Sequence, residues 1–297
     1  MYTGVVNIYK EAGFTSHDVV AKLRGILRQK KIGHTGTLDP DAVGVLPVCI
    51  GRATKLAETL SGGDKTYEAV LLLGRETDTQ DASGTCTAER PVTCSEEDVR
   101  EVLQTFVGEQ EQIPPMWSAK KVGGRRLYAL ARAGQTVERE AVPVRIAEVT
   151  VLACDLPRVT FRVTCSKGTY IRTLCSDIGS RLGCGGCMES LVRTRAGQFL
   201  LEDARTLDEV AGRVREGTFE EILQRPDAFF RELPELRTAP ASDAPAHNGN
   251  GIPAKAADTA PRVRGYDSEG RFLGIYRYRR PQGLYVPELF FYEREDP

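Results

Sequence analysis

The hydrophobic and polar positions of this chain change rhythm several times. "VVNIYK", Val5 to Lys10, is an apolar run of strand length. Ser16 stands as a helix N-cap ahead of Val19, Val20, Leu23, Ile26 and Leu27, which share one face at helical spacing. "GVLPVCIGRATKLA", from Gly44, reads as buried, and "TYEAVLLLG", Thr66 to Gly74, as a strand. In "SEEDVREVLQTFVG", Ser95 caps a helix, Asp98 completes a capping box and Gly108 ends it. "VPVRIAEVTVLACD" and "RVTFRVTCS" pattern as paired strands, and Thr169 to Leu182 as a helix. Strands and helices mix without the regular alternation of a doubly wound sheet, so the expected fold class is α+β.

Composition shifts after Leu233. The stretch "PELRTAPASDAPAHNGNGIPAKAADTAP" is rich in Pro, Ala, Gly, Asn and Asp, and residues 233–262 read as a linker or irregular segment. Beyond it, "RVRGYDSEGRFLGIYRYRR" places strands around a "DSEG" turn. The expected organisation is a main domain over 1–232 and a small β module over 263–297.

The chain has 297 residues, 41% of them hydrophobic, which suffices for a real core. Forty Lys and Arg against 41 Asp and Glu leave a net charge of -1. No global basic field marks a nucleic-acid binder, so any such grip has to come from local patches. Lys22, Arg24, Arg28, Lys30 and Lys31 form one candidate patch, with no acid from Val19 to Thr37; a merely solvated helix face is the competing reading. No apolar run reaches the length of a membrane span, and "MYTGVVNIYKEAG" lacks the features of a signal peptide. A soluble, cytoplasmic protein without membrane contact is expected. The eight Cys are scattered, most of them inside apolar patterns, and reduced, buried thiols are the expected reading. Cys184 and Cys187 are the one close pair, and none of the three His lies near them, so no metal site is expected.

"KKIGHTGTLDPDAVGVLP", Lys30 to Pro47, is too Gly-rich for a helix and too polar for a buried strand. Its Asp39 and Asp41 have three readings. Asp-Pro-Asp is common turn chemistry. Asp-x-Asp also marks the nucleophile of phosphatase-like hydrolases, although "GHTGTL" before Asp39 is not the apolar strand that chemistry usually follows. The third reading comes from a resemblance. "GHTGTLDPDAVGVLPVCIGRATK", Gly33 to Lys55, closely resembles the signature of the TruB family of tRNA pseudouridine synthases. "DKTYEAVLLLGRETDTQDASG", "QIPPMWSAKKVGGRRLYALARAG", "CSKGTYIRTLCSDIGSRLG" and "ESLVRTRAGQF" resemble further motifs of that family in the same order. The resemblance covers about the first 230 residues. "KEAGFTS" departs from it by Glu11 in place of Pro, and Trp117 stands where Tyr is usual.

The resemblance implies a pseudouridine synthase fold with a mixed or antiparallel sheet, followed by a degenerate module related to PUA domains. It implies isomerisation of the T-loop uridine of tRNA, position 55 in tRNA numbering, to pseudouridine. The substrate has to be flipped out of its stack, and no atoms are lost, so no cofactor is expected. By the same resemblance Asp39 is the catalytic carboxylate and Arg172 its cationic partner. Tyr67 stacks on the target base and is a candidate general base. Tyr170 orders the pocket, Leu191 packs against the base, and His34 fills the hole left in the RNA. Lys10 matches a substrate-binding lysine. Backbone grip is expected from Lys10, Lys22, Lys30, Lys31, Lys120, Lys121, Arg125 and Arg126. The implied partner is the tRNA T arm, met by a monomer without guide RNA. An RNA-binding protein lacking the chemistry and a guide-directed catalytic subunit are the rival readings.

Overall fold

The computed structural model describes residues 1–254 and 260–293. The chain opens with β1 (Gly4–Lys10), α1 (Ser16–Leu27), β2 (Ile32–His34) and β3 (Val43–Ile50), then α2 (Ala57–Ser61) and β4 (Lys65–Leu73). A small hairpin, β5 (Arg75–Thr77) and β6 (Cys86–Glu89), leads to α3 (Glu96–Gln104) and β7 (Gly108–Gln112). A second hairpin, β8 (Lys121–Val122) and β9 (Arg125–Arg126), runs into α4 (Leu127–Arg132). Next come β10 (Val142–Asp155), β11 (Arg158–Cys165), α5 (Ile171–Arg181), β12 (Gly186–Ala196), β13 (Phe199–Leu200) and α6 (Leu207–Glu216). The last elements are β14 (Glu235–Arg237), α7 (Pro240–His247), β15 (Ile252–Pro253), β16 (Arg262–Tyr266), β17 (Phe272–Arg279) and β18 (Leu284–Phe290).

A mixed sheet of order β1-β3-β12-β4-β11-β10-β7 forms the body, with β2 added to β3 and β13 to β12. Its neighbours run antiparallel except β3 and β12, which are parallel. β1 and β3 lack polar alternation because both their faces are packed. Val6, Ile8, Leu46, Val48 and Ile50 meet α1 and α6 on one side. Val5, Val45 and Cys49 face a second core with Phe199, Phe230, Ile275 and Phe291 on the other. β4 alternates more clearly, and its Tyr67, Ala69, Leu71 and Leu73 join the core under α3 and α5.

Three expectations are corrected. Thr15, not Ser16, caps α1: its Oγ1 accepts from the Asp18 amide at 3.1 Å, and Asp18 accepts from the Thr15 amide at 2.9 Å. The Ser16 hydroxyl instead accepts from the Leu38 amide at 2.9 Å, which ties α1 to the loop just before Asp39. α3 is capped by Ser95 and Asp98 as its sequence requires, but it stops at Thr105; Gly108, at φ 108°, turns the chain into β7. The stretch 233–262 is no plain linker. β14, α7 and β15 lie within it, and β14 and β15 form the edges of a second sheet of order β14-β16-β17-β18-β15. Two- and three-residue strands give little sequence signal, because pairing with a neighbour decides them. Residues 255–259 and 294–297 of the expected linker and module lie outside the described residues.

The second sheet is packed against the body. Ile275 and Phe291 enter the core shared with β1 and β3, and Lys55 donates to the Phe290 carbonyl at 2.6 Å.

The centre of the main sheet depends on one glycine. Gly44 of β3 has φ 105°, and a Cβ there would stand 2.3 Å from the Arg193 carbonyl oxygen of β12. A side chain would therefore meet both backbone strain and a backbone clash. Gly44→Ala is expected to destabilise the protein by about 3 kcal/mol, measured as a lowered urea midpoint; an unchanged midpoint would refute this reading.

Candidate active site

The site is built where the 35–42 loop between β2 and β3, the turn after β5, the 113–119 segment and the start of α5 converge. Asp39 opens a turn in which the Ala42 amide donates to its carbonyl at 3.2 Å. Two donors brace that turn from below: Lys10 Nζ reaches the Pro40 carbonyl at 2.8 Å and the Gly13 amide reaches it at 3.0 Å. Asp41 is exposed, and its charge acts on the buried Lys10.

Arg172, the second residue of α5, gathers the other segments. Its Nε lies 2.9 Å from Asp39 Oδ2, and its Nη2 lies 3.3 Å from Oδ1, a two-pronged grip. Nη2 also donates to the Trp117 carbonyl at 2.8 Å, and Nη1 to the Thr79 carbonyl at 3.1 Å. Asp81 Oδ2 stands 3.6 Å from Nη1. The Arg172 side chain is only 7% exposed, whereas Asp39 keeps 39% of its side chain open to solvent. The guanidinium is thus the buried scaffold and the carboxylate the accessible group.

Burial pushes Asp39 above the ordinary carboxylate range; Arg172 opposes the rise and Asp81 adds to it. Asp81 was not singled out by the sequence reasoning, although it lies in the quoted "TDTQDASG". Its Oδ1 accepts from Thr79 Oγ1 at 2.8 Å and Ser83 Oγ at 2.6 Å, which fixes the turn presenting the Thr79 carbonyl.

Tyr67 and Leu191 are both buried on the face of the sheet that also holds Leu38 and Ile171. Burial raises the Tyr67 phenol, and Arg193 opposes that rise. Tyr170 is half-buried at the N-cap of α5. The buried Gln112 side chain holds it on both sides, accepting from the Tyr170 amide at 2.9 Å and donating to its carbonyl at 3.2 Å. His34 ends β2, half-buried, with a buried Nδ1 that has no partner. Burial lowers its pKa, with Arg193 acting in the same direction, so the ring is neutral.

Lys10 requires a correction. It is fully buried, bound to the Pro40 carbonyl and at 3.0 Å to the Glu11 carbonyl, and burial lowers its pKa to about 8. In this position it supports the Asp39 turn rather than reaching an RNA phosphate. Lys22, Lys30, Lys31, Lys121, Arg125 and Arg126 are exposed and Lys120 is half-buried. Lys22 lies over the Phe14 ring at 4.2 Å. The β8–β9 hairpin turns through Gly123 and Gly124, both at positive φ, as a two-residue hairpin loop needs.

The "CGGC" stretch has a packing role. A Cβ on Gly179 of α5 would stand 2.2 Å from the Gly186 amide nitrogen, so bare backbone meets bare backbone there. That close approach seats α5, and with it Arg172, against β12. All eight cysteines are free. Among the described residues no group of His, Cys, Asp and Glu is placed to hold a metal ion, and no helix is long and apolar enough to cross a membrane.

A mixed sheet carrying an aspartate loop over its centre, with a small β sheet beside it, is a pseudouridine synthase fold of α+β class. The chain aligns with Cbf5 of a solved Cbf5–Nop10–Gar1 complex at a TM-score of 0.67 and 25% identity, over 98% of this chain and 88% of that one. The description "TruB family pseudouridylate synthase (N terminal domain)" matches residues 24–171, and "tRNA pseudouridylate synthase B C-terminal domain" matches residues 172–226. A protein of Lachnoclostridium phytofermentans named tRNA pseudouridine synthase B is 47% identical, over 97% of this chain and 99% of its own. One of Burkholderia lata with the same name is 46% identical, over 96% and 89%. The chain belongs to the TruB family of pseudouridylate synthases.

The balance at Asp39 has a measurable sign. Its pKa in the folded protein lies above the unfolded value, so the carboxylate gains its proton earlier than usual as pH falls. A 13C titration of the Asp39 carboxyl is expected to place its midpoint above 3.8. Arg172→Gln removes the opposing cation and is expected to move that midpoint up further. An unshifted midpoint in the variant would show that Arg172 does not hold the carboxylate ionised.

Proposed function

We propose that the protein isomerises the T-loop uridine of tRNA, position 55, to pseudouridine, acting as a monomer without guide RNA. The observation that carries this reading is the accessible Asp39 carboxylate gripped at two points by a buried Arg172. Pure RNA binding has no use for an accessible carboxylate held by a buried arginine, because its charge repels phosphate.

The glycosidic bond from N1 to C1′ breaks, the base turns, and C5 bonds to the same C1′. Asp39 supplies the negative charge that C1′ needs as its bond to N1 is lost. Arg172 keeps that carboxylate ionised and oriented. The uridine is flipped out of the stack, and the neutral His34 ring takes its place in the RNA. Leu191 and Tyr67 enclose the base, and Tyr67 takes the proton that C5 gives up. Lys22, Lys30, Lys31 and the basic β8–β9 hairpin hold the backbone of the T arm.

The test uses an unmodified tRNA transcript tritiated at uridine C5, with the purified protein and no other component. Release of tritium to water is expected from the wild type, is lost in Asp39→Asn, and is lost when the T-loop uridine is replaced by cytidine. Tight tRNA binding without release would leave only an RNA-binding protein. Activity that required an added guide RNA would favour the guide-directed reading.

The backbone grip has its own signature. Replacing Lys121, Arg125 and Arg126 together with Ala is expected to weaken tRNA binding and to flatten the slope of log affinity against log salt by about 2. An unchanged slope in a filter-binding titration would remove the hairpin from the interface.

A further inference from the structure

Lys10, Gly44, Arg193, Tyr67 and Val163 stand side by side across five neighbouring strands of the main sheet. Residues in such a row point to the same face. Gly44 contributes no side chain, and the positions beside it hold two cations and a phenol.

Arg193 is 1% exposed and forms no ion pair with a carboxylate among the described residues. Its guanidinium is held by main-chain oxygens: Nε to Val45 at 2.6 Å, Nη2 to Gly36 at 3.2 Å and Nη1 to Thr37 at 3.5 Å. Lys10 is likewise buried on carbonyls, and so is Lys65, which donates to Ser61 at 2.5 Å and Gly63 at 2.6 Å. Cations buried with main-chain carbonyls as their close partners are costly, even where Asp41 and Asp39 act on Lys10 and Asp64 on Lys65, because burying a charge costs several kcal/mol. An apolar side chain at position 193 would pack beside Tyr67 without that cost. The charge itself is therefore the feature to explain, and the group facing it across the strand pair is the Tyr67 phenol.

We infer that Arg193 is a positioning residue for the reaction: its guanidinium faces Tyr67 across the β12–β4 pair, while its carbonyl contacts hold the Gly36–Thr37 stretch of the Asp39 loop. The inference rests on the reading of Tyr67 as the base of the reaction. Burial opposes ionisation of that phenol, Cys165 and Asp39 oppose it too, and Arg193 is the first of the groups that favour it. After C5 has bonded to C1′, C5 carries both the sugar and its hydrogen. The phenolate oxygen of Tyr67 takes that proton. The C5–H electron pair becomes the C5–C6 double bond, and the C6–N1 double-bond pair moves to N1. N1 then takes a proton from the Tyr67 phenol or from water, so the ring is rearomatised with no change in oxidation state.

The experiment compares tRNA transcripts carrying hydrogen or deuterium at uridine C5, with Arg193→Gln, Arg193→Lys, Tyr67→Phe and wild type. The folded state of each is first checked by its melting curve. Arg193→Gln is expected to slow pseudouridine formation by roughly 100-fold and to enlarge the deuterium effect, because proton loss from C5 becomes limiting. Arg193→Lys keeps a charge but has fewer donors for the loop carbonyls. It is expected to slow the reaction while leaving the deuterium effect at the wild-type value. A purely structural role slows both variants without enlarging the deuterium effect in either, and that result would overturn the inference. So would an enlarged effect in the lysine variant, which decides the matter by itself if the glutamine variant does not fold. An active Tyr67→Phe with the wild-type deuterium effect would instead sink the reading of Tyr67 as the base.

Discussion

A buried guanidinium cannot be left half satisfied, and most of the active site is arranged around satisfying one. Arg172 has five N–H donors and almost no access to water. They are met by Asp39, the Thr79 carbonyl and the Trp117 carbonyl, from three stretches far apart in sequence. Each of those stretches is therefore fixed by the same side chain. The arrangement also divides labour by exposure: the cation is sunk in the protein, and the carboxylate it orients stays accessible. Arginine suits this because it stays charged when buried and presents its donors in a rigid plane.

A second consequence concerns charge. The chain is nearly neutral overall, yet the main sheet concentrates buried positive charge in Lys10, Lys65 and Arg193, each held closely by main-chain carbonyls. Field strength depends on distance and surroundings more than on net charge. Buried cations held on carbonyl dipoles act on a neighbour at close range and are weakly screened by salt. The exposed lysines and arginines of α1 and the β8–β9 hairpin work in the opposite regime, at longer range and in water.

Much of this was legible in the sequence because it is local. The α+β class, the α3 cap, the apolar β3 and β4, and the polar loop bearing Asp39 all declare themselves within short windows. The resemblance carried by the loop motifs pointed to the family to which the chain belongs. The failures share a physical cause. Lys10 reads as a surface cation, because nothing nearby in sequence shows that the Pro40 carbonyl will come to it. Asp81 and Arg193 sat inside recognised motifs, but Asp81 meets Arg172 on α5 and Arg193 meets carbonyls of β3 and the Asp39 loop, contacts that no short window of sequence shows. Ser16 and Thr15 are adjacent hydroxyl residues, and only the requirement of Leu38 for a partner decides which one caps the helix. The short β14 and β15 exist because longer strands offer them an edge, and composition alone made them look like linker.

The order of strands in the main sheet also sets a schedule. β12 lies between β3 and β4, although it is made long after both. About 110 residues separate the end of β4 from the start of β12, which at ~5–20 residues per second is on the order of ten seconds of synthesis. For that interval the facing edges of two strongly apolar strands have no partner to close on. The residue that fills the gap next to Gly44 and Tyr67 is Arg193, so the strand that completes the hydrophobic sheet also delivers the buried charge. The nascent chain cannot seal its core without assembling its chemistry in the same event.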